Sequence, residues 1–437
     1  MNRTKRSPLF LMALTIFIDF AGFGLVLPLL PFWAERLGAG PVAVGLVLTI
    51  YALAQFVFTP VLGTLSDRYG RRPVILASLL IEALSLALSA LAGSLAILFV
   101  ARFIGGLGAS NIGSAQAVVA DVTPVERRAQ GMGLIGAAIG LGFVVGPALG
   151  GVLAPLGPAV PFWVAMSVAL ANALLVLRFL PETRHIRAAT ETGPIRTESP
   201  GDDQAPTPPS TTPVPTGITG MGVVIAGWRR VLRHPVVARL VVTNLLFTVA
   251  FTAMEAVFPL FTQHSFGWTA LQNGYIFTYA GIVIVLMQGA LVGRLVKRWG
   301  GSRLLITGLV MLAAGLALLS WSTNLAVLLV ALGIVSISDG AVTPMVSALL
   351  SCASPSTAQG ETLGLAQGVA GLGRVIGPLA AGGAFAIGGS GAPFFLGSAL
   401  VLLAALIALP ALSSKHELSL THSTPEVQTV STAQDRS

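Results

Sequence analysis

Apolar residues along this chain come in runs of about 20 positions, the length at which an α-helix crosses roughly 30 Å of hydrocarbon. The runs fall near 10–33, 43–65, 73–92, 95–118, 131–154 and 160–180. After a polar interval they resume near 236–261, 272–293, 303–321, 324–350, 361–387 and 390–412. The pattern predicts an all-α polytopic membrane protein, with twelve transmembrane helices in two pseudo-symmetric six-helix bundles. The first run, starting at Leu9, is too long for a signal peptide and lacks a cleavage site, so it reads as a retained helix. An even number of crossings puts both termini on one side.

Polar positions divide the chain. Residues 1–183 form the expected N-terminal bundle and 236–412 the C-terminal one, joined by an interval at 184–235 and followed by a tail at 413–437. Pro206, Pro208, Pro209, Pro213 and Pro215, mixed with serine, threonine and Asp202-Asp203, cannot build a packed core and predict a disordered linker. Arg229, Arg230 and Arg233 lie just before the seventh run, on a candidate surface helix with Trp228.

Charge sets the orientation. Arg3, Lys5 and Arg6, then Arg68, Arg71 and Arg72, then Arg127 and Arg128, then Arg294, Lys297, Arg298 and Arg303 all fall on one side, against Arg36 alone on the other. The positive-inside rule predicts cytoplasmic termini in an inner or plasma membrane. The 437 residues are 54% hydrophobic and only 10% charged, with mean hydropathy +0.85, which rules out an ordinary water-soluble surface. The formal net charge of +8 sits in short turns rather than on an aromatic-studded face, so no nucleic-acid partner is expected. Cys352 is the only cysteine, which excludes an internal disulfide and a cysteine metal cluster; a buried apolar role is expected for it.

The halves repeat. Gly63-Thr-Leu-Ser-Asp-Arg-Tyr-Gly70 corresponds to Gly293-Arg-Leu-Val-Lys-Arg-Trp-Gly300, and Gly142-x-x-x-Gly146-Pro147 to Gly373-x-x-x-Gly377-Pro378, at offsets of 230 and 231 residues. Two landmarks at nearly one offset argue for a duplicated six-helix unit. Inverted packing of spans 1–6 against 7–12 is expected. Lys297 stands where Asp67 stands in the first copy, so the first copy, with Gly63, Asp67, Arg68, Gly70, Arg71 and Arg72, is expected to be the working gate. This stretch reads as a tight basic turn pinned between two apolar runs.

Charge inside the apolar runs marks candidate chemistry, because leaving it in lipid costs about 2.5–3.5 kcal/mol even on insertion scales. Asp19 lies in the first run, Glu82 in the third, Arg102 in the fourth, Glu255 in the seventh, Asp339 in the tenth and Arg374 in the eleventh. Asp19 either faces a cavity, to exchange a proton or hold a polar group, or pairs with a buried donor and braces its helix. Glu82, Glu255 and Asp339 carry the same alternatives, Glu255 lying toward the outer end. Arg102 cannot lose its charge and must find acceptors in protein or water. In the fifth run Gly136, Gly140, Gly142, Gly146, Gly150 and Gly151 are spaced for close helix approach, and Pro147 removes a backbone donor.

The pattern G-x-L-S-D-R-x-G-R-R at 63–72 resembles the loop between the second and third helices of the major facilitator superfamily. Within it the chain most resembles the drug:proton antiporters, in particular bacterial tetracycline efflux pumps. That likeness is carried by Asp19 with Gly22, Gly24, Pro28 and Pro31, by the 63–72 loop, by Arg102, by Asp121-Val-Thr-Pro-Val-Glu-Arg127, and by Gly146-Pro147. Two features depart from the group: the acid of the third span is Glu82 rather than an aspartate nearer the outer end, and the proline-rich linker is unusually long. The resemblance implies that Arg102 influences proton transfer, that the 63–72 loop with Asp121 and Arg127 forms a cytoplasmic gate, and that the glycine-proline string is of the antiporter type.

The expected function is therefore proton-coupled efflux of small hydrophobic or amphipathic compounds, tetracycline or multiple drugs among them, by alternating access. Phe23, Tyr51, Gln55, Phe56, Phe251 and Tyr279 are among the candidates to line an aromatic pocket for such compounds. Proton-coupled metabolite uptake and a non-transporting sensor or scaffold are the alternatives. No Walker loop, metal cluster or nucleophile–base set stands out, so neither an enzyme nor a cofactor or metal is expected. The expected partners are the small substrate, protons and the lipid bilayer, with function as a monomer.

Overall fold

A computed structural model of the chain describes residues 8–123, 128–182, 233–354 and 359–413. Arg127, nearly all of the proline-rich interval and the tail lie outside the described residues. Those described contain no strand. In the first half they form α1 (Pro8–Val26), α2 (Leu30–Arg36), α3 (Pro41–Tyr69), α4 (Arg71–Ala90), α5 (Leu95–Gly108), α6 (Ile112–Val122), α7 (Arg128–Leu153) and α8 (Val160–Phe179). The second half comprises α9 (Pro235–Phe266), α10 (Ala270–Leu286), α11 (Val292–Trp299), α12 (Gly301–Ser320), α13 (Leu325–Cys352), α14 (Gln359–Gly388) and α15 (Ala392–Ser413). Twelve helical spans among these are long and apolar enough to cross a membrane. The fourth span joins α5 to α6 through a short tight turn, and the eighth joins α10 to α11 through a wide turn at Met287–Leu291.

Four expectations are corrected. The first span ends at Val26, not 33, because Pro28 has no amide to continue the ladder and disfavours helix at Leu27; α2 is a separate short helix. The 63–72 stretch is not a turn along its length: Gly63 to Tyr69 continue α3, and Gly70 alone makes the break, with φ 108° and ψ 157°. L-residues rarely adopt that conformation, and glycine adopts it freely. Cys352, at the end of α13, is exposed rather than buried.

The fourth correction concerns symmetry. α1 and α7 run side by side in the same sense, Gly142 against Phe20 and Gly146 against Ala21 and Gly24. In the second half α9 and α14 do the same, Gly373 against Thr248 and Gly377 against Val249 and Ala253. Between the halves α3 lies antiparallel to α14, with Gly45 on Pro378 and Pro41 on Gly382. Since α3 runs opposite to α1, α14 and α9 run with α1. The two bundles thus point the same way, related about an axis along the membrane normal rather than inverted. The reason is parity: six crossings return the chain to the side where it started.

Close approach replaces hydrophobic burial as the source of helix association in lipid. A Cβ on Gly146 would come to 2.6 Å from the Ala21 carbonyl oxygen and 2.8 Å from the Gly24 Cα, so any larger residue would push α1 and α7 apart. Each half has its own apolar core. At one end, Leu260 of α9 joins the cluster of the first half, packing with residues such as Leu29, Leu30 and Val44.

That end is where the halves meet. From Pro41–Gly382 the α3–α14 seam continues through Gly45–Pro378 and a hydrogen bond from Thr49 Oγ1 to the Val375 carbonyl at 3.2 Å, to Phe56–Gly371. The α7–α10 seam likewise runs from Gly151–Gly274 through Val144–Gly281 to Gly140–Val285. Beyond those points the seams part. Gly63 on α3, Gly133 and Gly136 on α7, and Gly289 and Gly293 on the eighth span have open space where a side chain would stand. The structure is therefore closed at the end away from Gly70 and Gly300 and open toward the basic end.

Candidate functional site

The buried charge of the first half gathers where α1, α3, α4 and α5 converge. On α4 Ser78, Glu82, Ser85 and Ser89 follow each other at steps of four, three and four, one face of a helix, and all are buried. α5 reaches this face because Gly105 and Gly108 present no side chain to it: a Cβ on Gly108 would meet the Glu82 amide at 2.8 Å. Arg102, 5% exposed, donates from Nη2 to Ser89 Oγ at 2.9 Å and Ser85 Oγ at 3.4 Å. Each serine has already given its proton to a carbonyl, Ser85 to Ala101 at 2.7 Å and Ser89 to Ser85 at 2.8 Å. Their lone pairs are thereby turned to the guanidinium, which also lies over the Tyr51 ring, 5.7 Å from its centroid.

Asp19 of α1 and Glu82 are hydrogen-bonded to each other through their carboxyls. Two carboxylates can only accept, so this contact requires a proton on one of them. Glu82 Oε2 and Arg102 Nε are buried without a hydrogen-bond partner, one acceptor and one donor in the same site. Tyr51 joins the halves: it lies within electrostatic range of Asp19, Glu82 and Arg102 on its own side and of Arg374 on the other.

The second half holds a looser set. Glu255 of α9 lies within range of Asp339 of α13 and Arg374 of α14. It stands in the second half of its 32-residue helix, more than two turns short of the end. Asp339 is buried and accepts from Thr343 Oγ1, one turn along, at 3.1 Å. Arg374 lies deep between the bundles yet is solvent-accessible, which places it on the opening between the halves.

Of the described gate candidates, Asp67, Arg71 and Asp121 meet at the basic end, while Gly63 has no neighbour there where a side chain would stand. Arg71 pairs with Asp67 at 2.6 Å and with Asp121 of α6 at 3.4 Å, and donates to Ser66 Oγ at 3.2 Å. Asp67 is 66% exposed and Asp121 7%, so Arg71 ties an outer acid to a buried one. Arg72 donates to the Leu177 carbonyl, and Arg68 lies over Tyr69. Glu182 is the member that sequence reasoning missed. Its carboxylate accepts from the amides of Arg71 at 2.9 Å and Arg72 at 3.2 Å, capping the positive end of α4 from the far end of α8. No local motif marks it, since its partners are 111 and 110 residues away. Ser85 and Ser89 were missed as well, although their helical spacing on the face of Glu82 is a signal that could have found them. In the glycine-proline string, Gly142, Gly146 and Gly150 face α1 while Gly151 faces Gly274 of the other half, so one string serves two contacts.

A helical membrane bundle of two like halves, with charge buried near their seam and an opening between them, is the architecture of an alternating-access transporter. The family model of the Major Facilitator Superfamily matches residues 12–301 and 286–432, and the chain belongs to that superfamily. It is 31% identical over 374 residues to multidrug resistance protein 2 of Bacillus subtilis (strain 168), covering 84% of this chain and 86% of that protein. It is 28% identical over 371 residues to the class B tetracycline resistance protein of Escherichia coli, covering 83% and 84%. The crystal structure of the human organic anion transporter MFSD10 (TETRAN) superposes with a TM-score of 0.67 at 26% identity, covering 93% of this chain and all of that one. The nucleoside transporter NupG, at 13% identity and a TM-score of 0.71, shares the fold over 93% and 100% of the two chains.

Proposed function

We propose that this transporter exports small hydrophobic or amphipathic compounds in exchange for protons, with both termini in the cytoplasm of a bacterial-type inner or plasma membrane and the monomer as the working unit. The observation that carries the reading is the Asp19–Glu82 carboxyl pair beside Arg102. Sharing one proton, the pair holds a single negative charge opposite a fixed positive one. Release of that proton leaves a second carboxylate in a dry site, where Arg102 Nε and Glu82 Oε2 are the groups without partners. Proton loading and unloading then favour different arrangements of the halves, which couples them to alternating access. The names of the relatives, as drug and tetracycline resistance proteins, support efflux of such compounds.

On this reading the described state opens toward the cytoplasm, where substrate enters, and meets the accessible Arg374, with Glu255 within range of it. The Asp67–Arg71–Asp121 chain closes that end in the opposite state. Reconstituted protein in proteoliposomes, given a panel of lipophilic drugs while internal pH is recorded, tests it directly. Drug-driven proton release in the antiport direction is expected. Proton and substrate moving the same way would replace export by uptake, and absence of flux with every compound would leave the sensor reading.

A further inference from the structure

At the end of the seam opposite the basic turns, a cleft of about 200 Å³ lies between the halves, lined by Glu35, Pro41, Leu260, Gln263, His264 and Phe385. Glu35 and Pro41 come from the first half and the other four from the second. Glu35 is the half-buried carboxyl of this mouth. It stands on α2, which is held to its own bundle by buried Leu30, Pro31 and Ala34 and by Trp33, whose Nε1 donates to the Ser89 carbonyl at 3.0 Å. Ser89 is the same residue whose hydroxyl receives Arg102, so the mouth and the buried charge share a support.

From that support Glu35 crosses the seam. Its carboxyl accepts a hydrogen bond from the Gln263 side chain and lies within electrostatic range of His264, in the last turn of α9. His264 in turn meets Phe385 of α14 edge-on, with ring centroids 6.5 Å apart. The charged groups around Glu35 are His264 from α9 and the exposed Arg36 from its own helix; Pro41 of α3 and Phe385 of α14 carry none.

We propose that Glu35 is a gating residue of the outer mouth: its carboxyl, bound to Gln263 across the seam, favours closure of the halves when it carries a proton and lets them part when it is ionised. Closing the mouth takes this group from water into a cleft walled by proline, leucine and phenylalanine. A carboxylate loses more hydration there than a neutral carboxyl does. Burial raises the Glu35 carboxyl above its ordinary value, against the opposing effects of the Gln263 hydrogen bond and the His264 charge. The closed mouth therefore holds the proton more tightly than the open one, and by linkage the proton favours the closed mouth. That preference is complete below the open-mouth pKa and is lost as pH rises through the closed-mouth value. An acidic exterior would shut the mouth behind an incoming proton. The inference rests on the alternating-access reading above, in that the mouth must open at all.

The test uses the full chain in lipid nanodiscs, with spin labels at Gly40→Cys and Ala386→Cys in a Cys352→Ala background and distances measured from pH 5 to pH 8. Acid is expected to increase the closed population, by about tenfold in the closed-to-open ratio if the two states differ by one pKa unit. Glu35→Gln, which mimics the protonated carboxyl, should stay closed and lose that response. His264→Gln removes a charge that favours the ionised form and should move the midpoint to higher pH. A Glu35→Gln variant that keeps the wild-type response, a His264→Gln midpoint that stays or falls, or an unresponsive wild type would each overturn the proposal. Transport assayed on the same protein separates the two readings: a responsive mouth without drug-driven proton release removes the antiport and leaves the gate.

Discussion

In the first half Arg102 is sealed, its Nη2 set against two serine hydroxyls that are themselves oriented by backbone carbonyls, while its Nε has no partner among the described residues. In the second half Arg374 is accessible, within range of Glu255 on its own side and of Tyr51 across the seam. The acids follow the same division: Asp19 and Glu82 touch each other, whereas Asp339 is satisfied by Thr343 one turn away. A sealed charge with fixed partners acts as a stationary field, and it can bias a proton without moving. An accessible charge can change partners, and suits a surface that meets substrate or the other half. Two clusters of similar composition thus differ in exposure and in how their charges are partnered.

The largest expected effect comes from Asp19→Asn and Glu82→Gln. Proton-driven export should fall by about 5- to 150-fold, the span of an ordinary coupling free energy, while substrate exchange without a gradient persists. Retention of the wild-type proton-to-substrate ratio in both variants would break the comparison. Next, Glu255→Gln and Arg374→Ala are expected to shift the apparent affinity for charged substrates by about threefold to tenfold, as exposed or partly exposed charges of about 1 kcal/mol would, and the buried Asp339→Asn to shift it in the same direction. Their proton stoichiometry should stay put, and a lost stoichiometry in these variants would move the coupling site to the second half.

Asp67→Asn removes the exposed partner of Arg71 and should slow turnover several-fold with membrane insertion and folded yield retained, since Asp121 still holds the guanidinium. Turnover at the wild-type rate would reject a gating role for Asp67. The smallest effect is expected for Glu182→Gln, which weakens the charge-assisted cap on α4. A loss of about 1 kcal/mol in thermal stability, read by detergent-phase melting, should accompany unchanged coupling. A coupling defect there would place Glu182 in the gate itself.

How far the site could be read from the chain depended on the reach of each contact. Asp19, Glu82 and Arg102 announced themselves because a charge in an apolar run stands out whatever surrounds it. Ser85 and Ser89 could be found from helical spacing, since they repeat on the face of Glu82. Glu182 and the Glu35–Gln263 contact could not. Their partners lie across the fold, and an acid at the end of a span is what any membrane protein has there. The turn at 63–72 was misjudged for a related reason: its polar residues look like a loop, yet a helix that projects past the bilayer can carry them, and only Gly70 has to break it.

The sequence by itself determined the number of crossings and the identity of the intramembrane charges, because hydrocarbon imposes one length and one polarity on every span irrespective of its neighbours. It also held the duplication, in landmarks 230 and 231 residues apart. The tertiary structure decided which charges share a site, that the two bundles point the same way, and that the seam is closed at the end away from Gly70 and Gly300 and open at the basic end. Those depend on how helices lie against one another. In lipid that is settled by small residues such as Gly146 and Gly151 meeting a particular partner at van der Waals distance, and no periodicity within one helix names the partner.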